Sequence, residues 1–446
     1  MRTFFYGIIN KKIYRKLSKS LDIRYTIHSV EDIYKDNSNK DLVINNFNFD
    51  IRLTSFGQKN YKLFLKENFD QFYIMIIRRG LNLSDYHEIK NEFTIYYHSF
   101  LKILFEKKIQ LIIFETLPHD GPDFILYKLA KLVGIKTLLL YQSIFPDRFF
   151  MINDIDNFGK FKKKNFDEDF ISAILDQKYL YTNLIADLRK NNSNKYILNN
   201  ERSYLKMSFR EIVIETLKFL KIINRKNFEK EYLENIQKIQ IDREELLKIL
   251  RSNKKKIYFP LQFQPELTTS LLGYEYDDQI LAIEKLSELL DNKWVILVKE
   301  NPHQSSYQRR NFFFKRLKYL KNLYFIDTKI DSRYIINNTD LTATITGTAS
   351  WEALISNKKC LVFGKCWNYL LHGCMKIDDN TTRYQLQKFI KSEFNIQKFY
   401  NDLNSLLKTT YKGVINNFYK NISVDYDDNN NSKIVAKAIF NYVKKI

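Results

Sequence analysis

The chain has 446 residues, 45% of them hydrophobic and 15% aromatic, enough for a large core and, at ~100–200 residues per domain, for two domains. Charged residues make up 28%, with only 11 Gly and 6 Pro, which excludes collagen-like, low-complexity and disordered chains. Three Cys form no disulfide framework and point to a reducing compartment.

The formal charge is +21, from 72 Lys+Arg against 51 Asp+Glu. A basic surface attracts nucleic acid, anionic membrane or phosphorylated substrates. AT-rich coding drift toward Lys, Asn, Ile, Tyr and Phe accounts for the charge equally well. Lys11, Lys12, Arg15 and Lys16 interrupt the apolar start, so Met1 to Leu17 does not read as a secretory leader. No run approaches the ~20 apolar residues of a membrane span.

In chain order, Phe72 to Ile77 (FYIMII) predicts a short buried strand ending at Arg78-Arg79-Gly80. Asn91 to Lys107 reads as a helix and Gln110 to Phe114 as a strand. After a polar break at Glu115 to Asp123, Phe124 to Val133 has helical spacing closed by Gly134. Lys136 to Tyr141 is the next strand, completing a parallel βαβ pattern. From Phe166 to Leu250 long charged stretches carry apolar residues at helical intervals, clearest at Ile212 to Ile223 and Phe228 to Leu250. Charge runs such as Lys160 to Lys164 read as solvated faces.

A second α/β series follows. Strands are expected at Ile257 to Phe259, Trp294 to Val298, Leu323 to Ile326, Leu341 to Ile345 and Cys360 to Phe363. Helices are expected at Asp277 to Leu290, Tyr307 to Leu320 and Ser350 to Ile355, with an amphipathic one at Ser432 to Ile446. The fold class is α/β with two Rossmann-like lobes, their parallel sheets facing a central cleft. The expected divisions are an N-terminal lobe over 1–165, a helical insertion or linker over 166–252, a second lobe over 253–385, and C-terminal helices over 386–446 packing back on the lobes.

Ligands of parallel sheets bind outside the carboxyl ends of the strands, so the loops after strands carry the chemistry. Five loops stand out. Thr346-Gly347-Thr348-Ala349-Ser350-Trp351-Glu352 opens a helix with hydroxyls suited to capping, and its backbone N–H groups suit a phosphate or simply an ordinary capped helix. In Lys299-Glu300-Asn301-Pro302-His303, Pro302 suits a first helical position with Asn301 as cap, and Lys299, Asn301 or His303 suits a phosphate; a capped turn is the plain alternative. Gln262, Gln264 and Glu266 read either as a polyol or base-edge site or as a polar loop. Glu115, His119, Asp120 and Asp123 suit general acid, base or nucleophile roles, or capping of the next helix. Gln142-Ser143 is the fifth and weakest. GxxxxGK[ST], GxGxxG, HExxH and CxxC are all absent, so no metal site is expected, and Cys360, Cys366 and Cys374 read as small buried or loop residues.

Taken in order, the second-lobe segments resemble the capsule polysaccharide biosynthesis family, which includes the Kdo transferases of capsule linkers. The segments are Tyr258 to Glu266 with Thr268-Thr269-Ser270, Asp278-Gln279, Val298 to Pro302, Thr346 to Ala353, and Val362-Phe363-Gly364 with Trp367. A looser match covers His119-Asp120-Gly121, Tyr127, Leu129-Ala130 and Gly134-Ile135. The family usually carries His where this chain has Asn301, and His303 follows two positions on.

The resemblance implies a metal-independent GT-B glycosyltransferase with no cofactor and a nucleotide-sugar donor as substrate, a CMP-linked one included. Gln262, Gln264, Glu266, Lys299, Asn301, His303, Thr346, Gly347, Thr348, Ser350 and Glu352 would hold the donor. Asp120 is the foremost catalytic candidate, with His119, Asp123 and Glu115 beside it. The partners implied are a glycan or glycolipid acceptor and, at the cytoplasmic face of the inner membrane, the capsule assembly machinery, without nucleic acid. Two other classes stand against this reading: a non-catalytic polysaccharide export or scaffold protein that keeps the fold, and a nucleic-acid binder, motivated only by charge and aromatics.

Overall fold

A computed structural model describes residues 1–7, 10–27, 55–78, 85–145, 147–161, 228–264, 266–304, 306, 309–421, 423 and 426–446. The helix expected at Ile212 to Ile223, the turn at Arg79-Gly80 and Lys162 to Lys164 lie outside the described residues. The chain divides into two compact units, one of residues 1–171, 265–271 and 403–446, the other of 172–264 and 272–402.

The first unit is built on a sheet of six strands: β1 (Arg2–Tyr6), β2 (Asp22–Ile27), β3 (Leu111–Phe114), β4 (Lys136–Gln142), β5 (Arg148–Ile152) and β12 (Tyr411–Lys412), in the order β12-β5-β4-β3-β1-β2. β2, β1, β3 and β4 run parallel, while β5 is antiparallel to β4 and β12 to β5. Helices α1 (Lys11–Leu17) and α13 (Asp428–Val443) contribute Ile13, Leu17, Val435, Ile439 and Val443 to a core with Phe5, Ile113, Leu138 and Leu140. α2 (Ser55–Arg78), α3 (Tyr86–Glu106) and α4 (Pro122–Leu132) pack as a second helical group in the same unit, with Phe4 of β1 against Phe100 of α3.

FYIMII is not a strand. It is the last third of α2, whose buried residues Phe64, Asn68, Phe69, Phe72, Met75 and Ile76 recur at helical spacing. Six residues are too short a window to separate a continuous apolar strand from a helix on period alone. Seen over the whole helix, Phe72 stacks edge-on to Phe93 and Tyr96 of α3, which a strand could not arrange together with Phe64 against Phe93.

The second unit's sheet is entirely parallel. It comprises β6 (Lys255–Pro260), β7 (Trp294–Lys299), β8 (Leu323–Ile326), β9 (Leu341–Thr344), β10 (Cys360–Val362) and β11 (Cys374–Lys376), ordered β11-β10-β9-β6-β7-β8. Counted within the unit this is the 3-2-1-4-5-6 Rossmann order. Its core gathers Ile257, Phe259, Ile296, Val298, Leu341, Ala343, Leu361 and Phe363 with helix residues Ile280, Ile283 and Leu286 of α7 (Gln279–Leu289). The expected strands and α7 are therefore present, and α7 starts where Asp278 accepts the Ile280 N–H.

Three expectations are corrected here. The helix from Phe228 to Leu250 is two, α5 over 228–239 and α6 (Arg243–Arg251), because Gln240 bridges to Phe325 and Asp242 caps α6 by accepting from Glu245 N. The helix expected from Tyr307 begins only at α8 (Asn311–Tyr319). Among the described residues Pro302 is followed by a turn and not a helix: Asn301 Oδ1 accepts from His303 N at 2.9 Å and Asn301 O from Gln304 N at 3.0 Å. No described helix is long and apolar enough to cross a membrane.

Phe72→Ala removes a ring with no exposure from the α2–α3 aromatic cluster. It should lower stability by about 3–5 kcal/mol in a denaturant titration, whereas Phe56→Ala, at a partly exposed position of the same helix, should cost far less.

Candidate functional site

In open parallel sheets the binding crevice lies where strand order reverses, at the carboxyl ends. In the first unit that point lies between β1 and β3, so the residues leaving them, Gly7 and Glu115, are neighbours there. Gly7 has φ +89, and a Cβ on it would stand 2.6 Å from both Cβ and Oε2 of Glu115. The glycine is what leaves room for the Glu115 side chain. Burial, and then the nearby Asp120 carboxylate, push Glu115 up to about 8, so it holds its proton at neutral pH.

The loop from Glu115 to α4 is folded by Asp123. Its Oδ2 accepts from His119 N at 2.8 Å, and its Oδ1 accepts from Asp120 N and Phe124 N, each at 2.7 Å. Burial, then Asp120, raise Asp123 to about 6. His119 Nδ1 lies 2.7 Å from Leu117 O, which can only accept, so Nδ1 carries the proton and the neutral ring's lone pair sits on Nε2. That Nε2 is 3.8 Å from Asp120 Oδ1, whose side chain is a third exposed against 18% for His119. Gly121, φ +97, admits the close approach of α2, since a Cβ there would lie 2.7 Å from Ile76 Cδ1.

All four sequence-predicted catalytic candidates thus sit in one loop, but in different roles. Asp123 serves as the loop's internal staple, His119 and Asp120 form the outward pair, and Glu115 is the protonated neighbour. His119, Asp120 and Asp123 also offer three ligand atoms within 4.8 Å of one another, a geometry open to a metal ion. Gly7 was not among the sequence candidates; a Gly directly after the apolar run Thr3 to Tyr6 was the available signal.

In the second unit the order reverses between β6 and β9, whose exits are Leu261-Gln262 and Ile345-Thr346. The two exits are joined through one amide: Gln262 Oε1 accepts from Thr346 N at 2.7 Å, and Gln262 Nε2 donates to Thr346 Oγ1 at 3.3 Å. Gln279 brackets the Gln262 backbone at both N and O, each at 2.8 Å. Gln304 does the same for Gln264 at 2.8 and 3.2 Å. At the centre lies Arg309, donating from Nε to Glu300 Oε2 at 2.9 Å and from Nη1 to Gln264 Oε1 at 2.7 Å, with both charged side chains 1% exposed.

Several predicted donor residues are therefore parts of the scaffold. Lys299 is buried, and its ammonium donates to Ile330 O at 2.6 Å and Ser332 Oγ at 2.9 Å. Gln264 is buried in the Arg309 network. Ser350 Oγ donates to Gly347 O at 2.8 Å, within a buried cluster with Asn368 and Cys366. Glu352 is buried on α10 (Ala349–Ile355). The expected hydroxyl cap is absent: Thr348 stands at the N-cap of α10 in helical conformation without a side-chain bond to the helix.

Thr348 and His303 are exposed, Gly347 and Asn301 partly so, and Thr346 buried. Glu266 belongs to the segment grouped with the first unit, where its carbonyl accepts from Thr269 N and Ser270 N. Arg309 and Gln304 escaped sequence reasoning because a lone Arg and Gln in a polar loop carry no spacing signal. Cys360, Cys366 and Cys374 are free thiols.

No family model and no curated protein matches the chain. Among solved structures it is similar to KpsC, the β-Kdo 2,7 transferase of Thermosulfurimonas dismutans, with 10% identity, 94% of each chain covered and a TM-score of 0.37. It is also similar to the UDP-GlcNAc 2-epimerase of Methanocaldococcus jannaschii (14% identity, 91% of this chain and 99% of that one, TM-score 0.25). A third is the α,α-trehalose-phosphate synthase of Burkholderia xenovorans (10% identity, 95% and 99% covered, TM-score 0.30).

Arg309→Leu strands the Glu300 carboxylate in the interior and should cost about 3–5 kcal/mol in denaturant unfolding, while Arg309→Leu with Glu300→Leu should recover much of that loss. A second outcome concerns pH. Glu115 is raised in the folded chain from 4.5 to about 8, so between those values the native state binds more protons than the unfolded one. Its contribution is present at low pH and is lost as pH rises through 8. Melting followed from pH 5 to 9 should therefore show the wild type falling relative to Glu115→Gln.

Proposed function

We propose that the chain is a glycosyltransferase of bacterial surface-polysaccharide synthesis, moving a Kdo-like sugar from a nucleotide-activated donor to a glycan or glycolipid acceptor. The observation that carries the reading is the acid–imidazole loop Glu115–His119–Asp120 at the order-reversal point of the first sheet, in a chain most of whose segments resembling the capsule family lie in the second unit. A carboxylate with an imidazole alongside suits removal of a proton from an attacking hydroxyl. The acceptor oxygen bonds to the anomeric carbon, the bond from that carbon to the donor phosphate breaks, and the acceptor proton passes to Asp120.

His119 and Asp120 stand side by side as the outward pair of that loop, facing the acceptor, and the protonated Glu115 donates a hydrogen bond to a sugar oxygen. In the second unit the outward residues Gly347, Thr348, Asn301 and His303 are those suited to the donor. Gln262, Gln264, Lys299, Ser350 and Glu352 support that surface from beneath.

Two measurements test the proposal. Thermal shift against CMP, UDP, GDP and their sugar conjugates should give a rise of several degrees with one nucleotide class, since a ligand of the native state stabilises by mass action. A CMP-selective shift supports the Kdo-like donor, and no shift from folded protein favours a non-catalytic scaffold. With the donor known, Asp120→Asn should lower kcat by about 10²-fold or more while leaving the melting temperature nearly unchanged. Turnover that survives EDTA supports the metal-independent form; loss restored by added Mn2+ assigns an ion to His119, Asp120 and Asp123.

A further inference from the structure

Helix α8 presents two opposite faces. Phe314 and Leu317 are each 2% exposed and fill the second unit's core. Phe312 and Tyr319 are 79% and 86% exposed, the two most exposed large hydrophobic side chains among the described residues. They stand seven positions apart, two helical turns and about 10 Å, on one side of the helix, with Lys315 between them and its ammonium 5.3 Å from the centre of the Phe312 ring. Lys318 and Lys321 are also exposed.

The stretch from Arg310 to Lys321 holds five basic residues and no acid. Acids brought near it from α7 and its cap, Glu284 and Asp278, are turned onto Arg316. Lys315, Lys318 and Lys321 enter no ion pair among the described residues.

Aromatic rings interleaved with lysines on the outer side of a helix match the interfacial zone of an anionic bilayer, where rings sit at headgroup depth and ammonium groups meet lipid phosphates. Stacking on single-stranded nucleic acid uses rings along a basic groove; here both rings point outward from a convex helix. We propose that the outer face of α8, with Phe312, Lys315, Lys318 and Tyr319, and with Lys321 just past its end, docks on the anionic headgroup surface of a lipid bilayer. This goes beyond the transferase reading and does not need it, because docking is measured without donor or acceptor.

The test is co-sedimentation of the full chain with phosphatidylcholine vesicles with and without phosphatidylglycerol. Wild type should bind the anionic vesicles, more weakly as salt rises. Phe312→Ser with Tyr319→Ser should weaken binding at least about ten-fold, and Lys315, Lys318 and Lys321 changed to Gln should each weaken it about five-fold. All sites are exposed, so unchanged melting temperatures are the check on folding. Tyr384→Ser, at an exposed ring on α11 (Arg383–Lys391), should leave binding as it is. The proposal is overturned if wild type ignores anionic vesicles, if the aromatic double variant binds as well as wild type, or if Tyr384→Ser loses as much. Single-stranded DNA binding that depends on the same residues, without vesicle binding, would assign the face to nucleic acid instead.

Discussion

The ion pair of Arg309 with Glu300 sets the carboxyl edge of the second unit's sheet. Two charges almost wholly removed from water are tolerated only when nearly every donor and lone pair around them is used. Here the guanidinium meets Glu300 Oε2, Gln264 Oε1 and, at 3.4 Å, Gln262 O, with its flat side 4.4 Å from the centre of the Phe313 ring. The other Glu300 oxygen accepts from Asn301 N at 2.9 Å. The pair thereby fixes the loops after β6 and β7 against one another. The reciprocal amides of Gln279, Gln304 and Gln262 extend the same order to the loop after β9. Irregular backbone at the end of a sheet has lost its ladder partners, and primary amides, each with donor and acceptor, replace them.

The order-reversal points of the two sheets are built from different chemistry. In the first, a glycine clears space and acidic side chains converge, so that burial, and then the nearby Asp120 charge, raise Glu115 and Asp123 together. In the second, neutral amides and one compensated ion pair make a rigid rim with little net charge, over which Gly347, Thr348 and His303 present the outward groups. Carboxyl groups whose affinity for protons is tuned by neighbours suit proton transfer, and a stiff, neutral rim suits recognition of a charged ligand by a few backbone and hydroxyl groups.

Most of the second sheet was legible because five of its strands are short apolar runs, whereas β11 (Cys374–Lys376) ends in Lys and carries no such run. Ile257 to Phe259 and Trp294 to Val298 are examples of such runs, and Asp278 announces α7 as its cap. The first unit was harder. FYIMII looked like a strand because four of its six side chains are aliphatic or Met, and only Phe64 and Phe69 upstream reveal the 3.6-residue repeat. β5, with Arg148 at its head, and the two-residue β12 lack any pattern that a short window can separate from loop. At the candidate site, the sequence picked out loops that leave strand ends but not the direction of their side chains. Lys299 reads as a phosphate contact until Ile330 O and Ser332 Oγ are seen to take its ammonium. Arg309, the most consequential of these residues, has partners 9 and 45 positions away, a separation that no local pattern encodes.

The same geometry joins residues from the separate polar loops of the second unit. Gln262, Gln264, Gln279, Glu300 and Thr346 are joined into one hydrogen-bonded rim, and substitution at one leaves a polar partner unsatisfied at another, at a cost of about 1–3 kcal/mol each. Asn301, where the family usually has His, lies just outside that rim. Its Oδ1 takes the His303 N–H, which shapes the turn and sets His303 at an exposed position. An imidazole at position 301 would offer the turn a ring nitrogen in place of a short amide oxygen and would carry its own titratable group two residues earlier. Glu300 bonds the backbone N–H of residue 301, not its side chain, so a change of that side chain leaves this bond in place. The side chain at 301 thus shapes the turn, while the Arg309–Glu300 frame beneath it rests on backbone and buried side-chain bonds.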